Sequence, residues 1–599
     1  MLDYKTDRLD YGRQLNPPPG FVMERAVATT YSLDLSAFLS IPVALFYKKN
    51  LDGKLSEDRM DIFDAIQKTS DTITIYCQKG KIKVPESANR IVSFIEDSVA
   101  EVLPADAHTA FHPKIWIIRY KNGEGDVLYR LIVLSRNLTF DRSWDVAFSM
   151  EGFVATNQNA KSQPLVDFVK HLTTYHDFNG SEVFIEDLGR VNFEIDEPFT
   201  DFLFHPIGFN DYQNPLNKET WEDLVIVSPF LDRSAIEKIS RTTSGRKFLL
   251  SRKEELDKIH WDALRGFNKV YAFSNLIVEG EQYANVQEEA DDIPMQQNIH
   301  AKLFIGHSSE ETTKWFLGSA NCSSPAMHRN QEFLIELVDA GKVSSVDQVL
   351  EIFLRKEQDL AFFSEYYRKE EEPTDSDEYD FRQAIYNLLS FLEKPANFEV
   401  TCTPGEETSN KYDIGVLLHP HDVFNQRDLE FYIAPYGWKG DLAPVRTRDM
   451  IMFKGIAIHH LSPFFIWKVV YPAKNQEKEF ITRLQINLPA QRKEAIFKSI
   501  IQDKERFIQF IQFLLGANDD NLFFHGDQQK PVNKQTDKGW LNMSAHMYEE
   551  MLIAAARNPD KLRDVERLIQ RLKTHKAENV IPDDFNMIWD VFKQMLPHD

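Results

Sequence analysis

The chain has 599 residues, 43% of them hydrophobic, and a formal net charge of −23. That length exceeds one ordinary core and predicts three or four domains, while the apolar share is that of a globular protein and not of a disordered one. The acid excess excludes a generally sticky nucleic-acid binder, but not an enzyme whose cleft is locally basic.

The first predicted strand, "RAVATTYSL" (25–33), ends in hydroxyl residues, with Thr30 among them. A helical stretch, "LSAFLSIPVALFYK", and a second strand, "TITIYCQKGK" (72–81), follow. Then His112 and Lys114 stand one residue apart at the head of an apolar run, with Pro113 between them. A polar turn, "KNGEGD", leads into a return strand, "YRLIVLSRNLT", which ends in Ser135-x-Asn137. Asp145 opens the next apolar run, and "PLVDFVKHLTTYHDF" reads as a closing helix.

The series then recurs. "DLVIVSPFL" (223–231), carrying Ser228, reads as a strand; "RSAIEKISRTT" reads as a helix and "KFLLSRKEE" (247–255) as a second strand. His300-x-Lys302 heads "NIHAKLFIG", a polar turn follows, and "WFLGSANCS" returns to Ser319-x-Asn321. Glu332 opens the next apolar run and "SSVDQVLEIFLRKEQ" closes the unit. His and Asn are 25 residues apart in the first copy and 21 in the second. Two α/β units are therefore expected, over 1–195 and 196–368, with mixed or parallel sheets covered on both faces.

The acidic run 369–380, "KEEEPTDSDEYD", reads as a solvated linker. Residues 381–490 read as a β-rich domain and 491–599 as helical. Neither segment carries a chemical motif, and protein partners are assigned to this third of the chain. No run approaches the roughly 18 apolar residues of a membrane span. The polar N-terminus is no signal peptide, so the cytoplasm is the expected compartment. Three cysteines, Cys77, Cys322 and Cys402, make neither a disulfide framework nor a metal-ligand cluster.

Alternate residues of a strand share a face, so each His and Lys point the same way, and each hairpin returns its Asn towards them. One such unit is half a site. Two units paired about a pseudo-twofold axis bring His112 and His300 to opposite sides of one phosphate, a geometry for in-line displacement. One imidazole attacks phosphorus, and the other protonates the leaving oxygen and then activates water. Lys114, Lys302, Asn137 and Asn321 hold the non-bridging oxygens. Asp145 and Glu332 are each expected to face the histidine of their own unit and orient it. Ser135 and Ser319 support the site, and Thr30 and Ser228 are candidate phosphate contacts. The scheme needs no metal or other cofactor.

The twin His-x-Lys with Ser-x-Asn resembles the phospholipase D superfamily. Within it, the pattern is similar to tyrosyl-DNA phosphodiesterase and to bacterial nucleases of that fold. The resemblance covers residues 20–365 and implies a pair of phospholipase D-like units. It also implies a metal-independent phosphodiesterase working through a phosphohistidine, with His112 as nucleophile and His300 as general acid. A nucleic-acid substrate follows from it, DNA foremost, in a setting such as bacterial restriction or phage defence. The usual Asp six positions after the Lys is lacking here, where Tyr120 and Ser308 stand instead. The first copy also lacks the Gly that precedes Ser319 as Gly318. The alternatives are a phospholipase D or phosphatidyltransferase, and a catalytically silent scaffold of a multiprotein assembly.

Overall fold

Two successive runs of the chain build sheets of one order. The computed structural model describes residues 14–39, 71–85, 90–139, 143–273, 299–307, 312–339, 346–354, 363–367, 379–405, 411–426 and 428–492, with scattered positions elsewhere. The first sheet joins β1 (Phe21–Thr30), β2 (Ile73–Gln78), β3 (Val99–Val102), β4 (Ile115–Asn122), β5 (Val127–Leu134), β6 (Ala147–Val154) and β7 (Val191–Phe193) in the order β3-β2-β1-β4-β5-β6-β7. The second joins β8 (Phe199–Ile207), β9 (Asp223–Val227), β10 (Lys247–Ser251), β11 (Lys269–Phe273), β12 (Leu303–His307), β13 (Thr313–Gly318), β14 (Glu332–Asp339) and β15 (Phe363–Glu365) in the order β15-β11-β10-β9-β12-β13-β14-β8. In each, three parallel strands are followed by an antiparallel hairpin and a further antiparallel strand. The fold is mixed α/β.

Strand pleating explains the unbroken apolar runs. Val225 and Val227 of β9, Leu303 and Ile305 of β12, and Phe333 and Ile335 of β14 enter one buried cluster, which also takes Ile115, Ile117, Leu131 and Val133 of the first sheet. The alternate residues Leu224, Ile226, Phe304 and Leu334 enter a second cluster on the other face. A strand buried on both faces has no polar face to show in its sequence. Two amphipathic helices, α1 (Gln163–Tyr175) and α2 (Ser181–Leu188), connect β6 to β7. On the second sheet, α3 (Arg233–Thr242) starts at Asp232, whose carboxylate accepts from Ala235 N at 2.8 Å, and α4 (Val346–Leu354) closes the repeat. Both α1 and α4 bury their apolar stripes in the cluster shared by the two sheets.

The described chain divides into two compact units. The first holds Met1–Asp34, Thr72–Ile82 and Ser98–Glu393, and so contains both sheets. It also contains α5 (Tyr379–Leu392), which lay almost wholly within the expected β-rich domain; Tyr386 donates to Ala105 O at 2.7 Å and Lys79 pairs with Glu393. The second unit holds Leu35–Asp71, Lys83–Asp97 and Lys394–Asp599. Its β-rich part forms two antiparallel sheets. One is β16 (Phe398–Pro404), β17 (Lys411–Leu418) and, from further along the chain, Ile451–Ala457; the other is built from Glu430–Pro435, Ala443–Pro444, Phe464–Tyr471 and Gln476–Arg483. In this unit the buried Arg492 pairs with the buried Glu96, which also accepts from Ser462 Oγ at 3.1 Å. Burial lifts the Glu96 carboxyl above its usual range although Arg492 opposes the rise. The acidic stretch expected as a linker lies outside the described residues up to 378, and the helical reading of 491–599 falls almost wholly outside them.

Gly318 ends β13 at φ +148°, and a Cβ there would stand 2.2 Å from Phe333 O. Both the dihedral and the close approach of β14 require glycine. Gly318→Ala should therefore lower stability by about 1–3 kcal/mol or more, read as a fall in melting temperature. Gly123→Ala, in a turn with open space around the new methyl, should leave the melting temperature unchanged. Equal melting for the two variants would remove the constraint argued for Gly318.

Candidate active site

His112 and Lys114 precede β4, and His300 and Lys302 precede β12. Pro113 thus lies ahead of the strand, where a missing ladder donor costs nothing. Each pair is laced to the other repeat by backbone. His112 N donates to Gln331 O at 2.9 Å, in a bridge between Phe111 and Gln331. His300 N donates to Trp144 O at 2.7 Å, in a bridge between Trp144 and Ile299. The partner is in both cases the residue just before the carboxylate, Glu332 or Asp145.

This lacing overturns the expectation that each carboxylate faces its own histidine. Glu332 Oε2 of the second repeat accepts from His112 Nδ1 of the first at 2.8 Å. Period two predicts which residues share a face but not which repeat lies opposite. Asp145 stands beside the backbone of His300 and pairs with Arg136 Nε at 3.5 Å. Glu332 is fully buried and accepts two further bonds, one from Ser319 Oγ and one from Asn330 Nδ2 at 3.1 Å. Asn330 in turn accepts from Ala110 N at 3.0 Å, beside His112. Sequence reasoning missed Asn330 because an Asn two places before a carboxylate looks like an ordinary loop residue.

The serines and the threonine act in matched pairs. Ser135 Oγ accepts from Val146 N and Ser319 Oγ from Phe333 N, each at 2.9 Å, so each clamps the residue after the carboxylate of its own repeat. Thr30 Oγ1 donates to Ser32 O and accepts from Leu138 N. Ser228 Oγ donates to Phe230 O and accepts from Cys322 N. Leu138 and Cys322 directly follow Asn137 and Asn321. Thr30 and Ser228 were read as phosphate contacts; their hydroxyls are buried and committed to backbone, and they fix the asparagine loops instead. The carboxamide oxygens of Asn137 and Asn321 are both buried without a hydrogen-bond partner. A polar atom in that state is costly unless a ligand meets it, and an amide can present either its oxygen or its NH2. Cys322 is fully buried and its thiol is pushed up by that burial, which suits packing and not nucleophilic attack.

The charges are concentrated and dry. Lys114 Nζ donates to His112 O at 3.0 Å, and Lys302 Nζ donates to His300 O at 2.7 Å and to Ser135 O at 3.2 Å. Both lysines are 1% exposed. Burial, reinforced by Lys302, drives the Lys114 ammonium well below its ordinary range, with Glu332 opposing. His112 is pushed down to about 4 by burial, against the pull of Glu332 and with help from Lys114 and Lys302. Burial would raise Glu332, but His112, Lys114 and Ser319 outweigh it and hold the carboxyl below its usual range. At neutral pH the pair is thus a carboxylate accepting from the Nδ1–H of a neutral imidazole, which leaves the Nε2 lone pair available. That Lys302 acts on both His112 and Lys114 means that groups of the two repeats share one electrostatic site. Tyr31, also missed from sequence, sets its ring 5.1 Å from His112 in an edge-on contact.

No protein-family model matches the chain, and no curated protein matches it in sequence. Among solved structures the chain is similar to yeast tyrosyl-DNA phosphodiesterase, at 14% identity over 53% of this chain and 82% of that one, with a TM-score of 0.31. A mutant of the same yeast enzyme gives 12% identity over the same shares, with a TM-score of 0.35. Among the described residues no helix is long and apolar enough to cross a membrane.

A tetrahedral oxyanion placed between Lys114 and Lys302 adds negative charge that raises the lowered proton affinity of Lys114. Tungstate or orthovanadate should therefore bind with proton uptake and more tightly as pH falls. Calorimetry in two buffers of different ionisation enthalpy reads the uptake directly. Binding with no proton uptake would show that Lys114 is already charged in the free protein.

Proposed function

We propose that this protein is a phosphodiesterase that cleaves nucleic acid, DNA foremost, through a covalent phosphohistidine, with its two α/β repeats acting as a pseudo-twofold pair around one phosphate. The observation that carries the reading is the crossed lacing of the two His-x-Lys segments. It binds His112 of one repeat to the carboxylate of the other, two buried lysines act on His112, and the asparagine that ends each return strand has an open amide atom.

In this reading His112 Nε2, neutral and backed by Glu332, attacks phosphorus in line with the leaving oxygen. The P–O bond breaks as the N–P bond forms, and His300 gives its proton to the departing oxygen. His300 then takes a proton from water, the hydroxide attacks phosphorus, and the N–P bond breaks to release phosphate monoester and free His112. Lys114, Lys302, Asn137 and Asn321 stabilise the charge on the non-bridging oxygens, the largest electrostatic demand of the step. Glu332 holds the Nδ1–H tautomer and stabilises the charge that the attacking ring acquires. Burial against Glu332, which keeps its ring neutral, is what assigns the nucleophile's role to His112. A phosphate clamp reads backbone and not sequence, so no base specificity is assigned.

The test is cleavage of single-stranded DNA, duplex DNA, RNA and phosphatidylcholine vesicles in EDTA. Nucleic-acid turnover should persist in the chelator and fall by about 10²–10⁴-fold in His112→Ala and His300→Ala. Labelled substrate quenched in base should leave an acid-labile adduct on the wild type and none on His112→Ala. Turnover of lipid alone would move the protein to the phospholipase reading, and an adduct that survives in His112→Ala would reverse the roles of the two histidines.

A further inference from the structure

Two cation–ring pairs stand beside the site and take no part in the chemistry above. In the first repeat Lys81 Nζ lies 5.1 Å from the centre of the Tyr31 ring, and the Tyr31 ring lies against His112. Among the described residues no carboxylate pairs with Lys81. In the second repeat the Arg252 guanidinium lies 4.2 Å from the centre of the Phe230 ring, while its Nε donates to Pro229 O at 2.7 Å. Phe230 is 42% exposed, one of the few large apolar side chains of the structure that face solvent.

In each pair the ring stands in the loop after the first parallel strand, β1 or β9, and the cation follows the next one, β2 or β10; both ring loops are tied to the neighbourhood of an asparagine. Tyr31 follows Thr30, which holds Leu138 beside Asn137. The Phe230 carbonyl accepts from Ser228 Oγ, which holds Cys322 beside Asn321. Each ring is thus tied through one hydroxyl to the asparagine loop of its own repeat, with different chemistry in the two repeats. The first offers an ammonium with no paired carboxylate among the described residues. The second offers an exposed aromatic face stiffened from one side by a planar cation, itself fixed to the backbone.

We propose that these loops are the flanking subsites of a single strand of nucleic acid: Phe230, held by Arg252, is the stacking platform for a base on one side of the scissile phosphate, and Lys81, held by Tyr31, contacts a backbone phosphate on the other. A solvent-facing ring beside a backbone clamp selects unpaired bases, because a base already stacked in a duplex gives up as much as it gains. A lone ammonium contributes sequence-independent affinity that salt removes. The assignment rests on the nucleic-acid reading proposed above and adds a preference for single strands.

The test is fluorescence anisotropy of a labelled 15-nucleotide single strand, and of the matching blunt duplex, with the full chain carrying His112→Ala so that the strand is not turned over. Phe230→Ala in that background should weaken single-strand binding about 5- to 100-fold, with little change for duplex and no change in salt dependence. Lys81→Gln should weaken both ligands and lower the slope of log K against log salt by about 0.7 for the single strand. Circular dichroism and melting should match the background protein, since both side chains reach solvent. If both variants bind the single strand like the background protein, the subsite assignment falls while the phosphodiesterase reading stands. If the background protein binds neither ligand at low salt, the nucleic-acid reading falls and takes the subsites with it.

Discussion

The bond between Glu332 and His112 is the interaction on which the site depends. A fully buried carboxylate is tolerable only when its lone pairs are met, and here they are met by an imidazole from the other repeat, a hydroxyl and an amide. Removing one partner of such a pair typically costs about 3–5 kcal/mol, because the charge that remains has nowhere to go. Glu332 also acts on Lys114, one of two lysines that are both out of water. The two sheets consequently hold their relative register through a charge and not only through apolar contact, which is non-directional.

Around that pair the backbone does in each repeat what the side chains do once. A hydroxyl at the end of the first strand holds the residue after the asparagine. A serine on the return strand holds the residue after the carboxylate. The residue before the carboxylate holds the histidine of the opposite repeat. Most of these bonds join segments far apart in the chain, so the loops that carry the candidate side chains are fixed by tertiary contact. Symmetry then gives way where the roles part. Gly318 ends β13 in a conformation that requires glycine, where the first repeat has Leu134. Glu332 is saturated and dry, whereas Asp145 is partly exposed and pairs with Arg136. Such differences between equivalent groups give the two carboxylates different surroundings.

Much of this was legible in the chain. His-x-Lys and Ser-x-Asn each follow strand periodicity, and their repetition in the same order, each followed by a carboxylate, made two related α/β units readable from residue types alone. The described strands of those units lie near where the patterning put them, because Val-, Ile- and Leu-rich runs bounded by Gly and polar turns have few other folds; the helix expected after the first strand lies mostly outside the described residues, and the strand expected over 247–255 ends at Ser251, where a short helix, Lys253–Lys258, follows. Thr30 and Ser228 were visible as hydroxyls near the site, but not that their hydrogen bonds are used by backbone. Asn330, Tyr31 and Lys81 carried no signal, since each reaches the site from a loop whose own sequence is ordinary.

By itself, then, the sequence determined the residue types of the site, their spacing along two hairpins and the sheet that each hairpin joins, all properties of local periodicity and turn chemistry. Only the tertiary structure decided which carboxylate serves which histidine, which hydroxyls are spent on scaffolding, and how far burial lowers the proton affinity of His112 and Lys114. Those are matters of what lies opposite a side chain and of how much water is left around it, and neither is encoded in the distance along the chain.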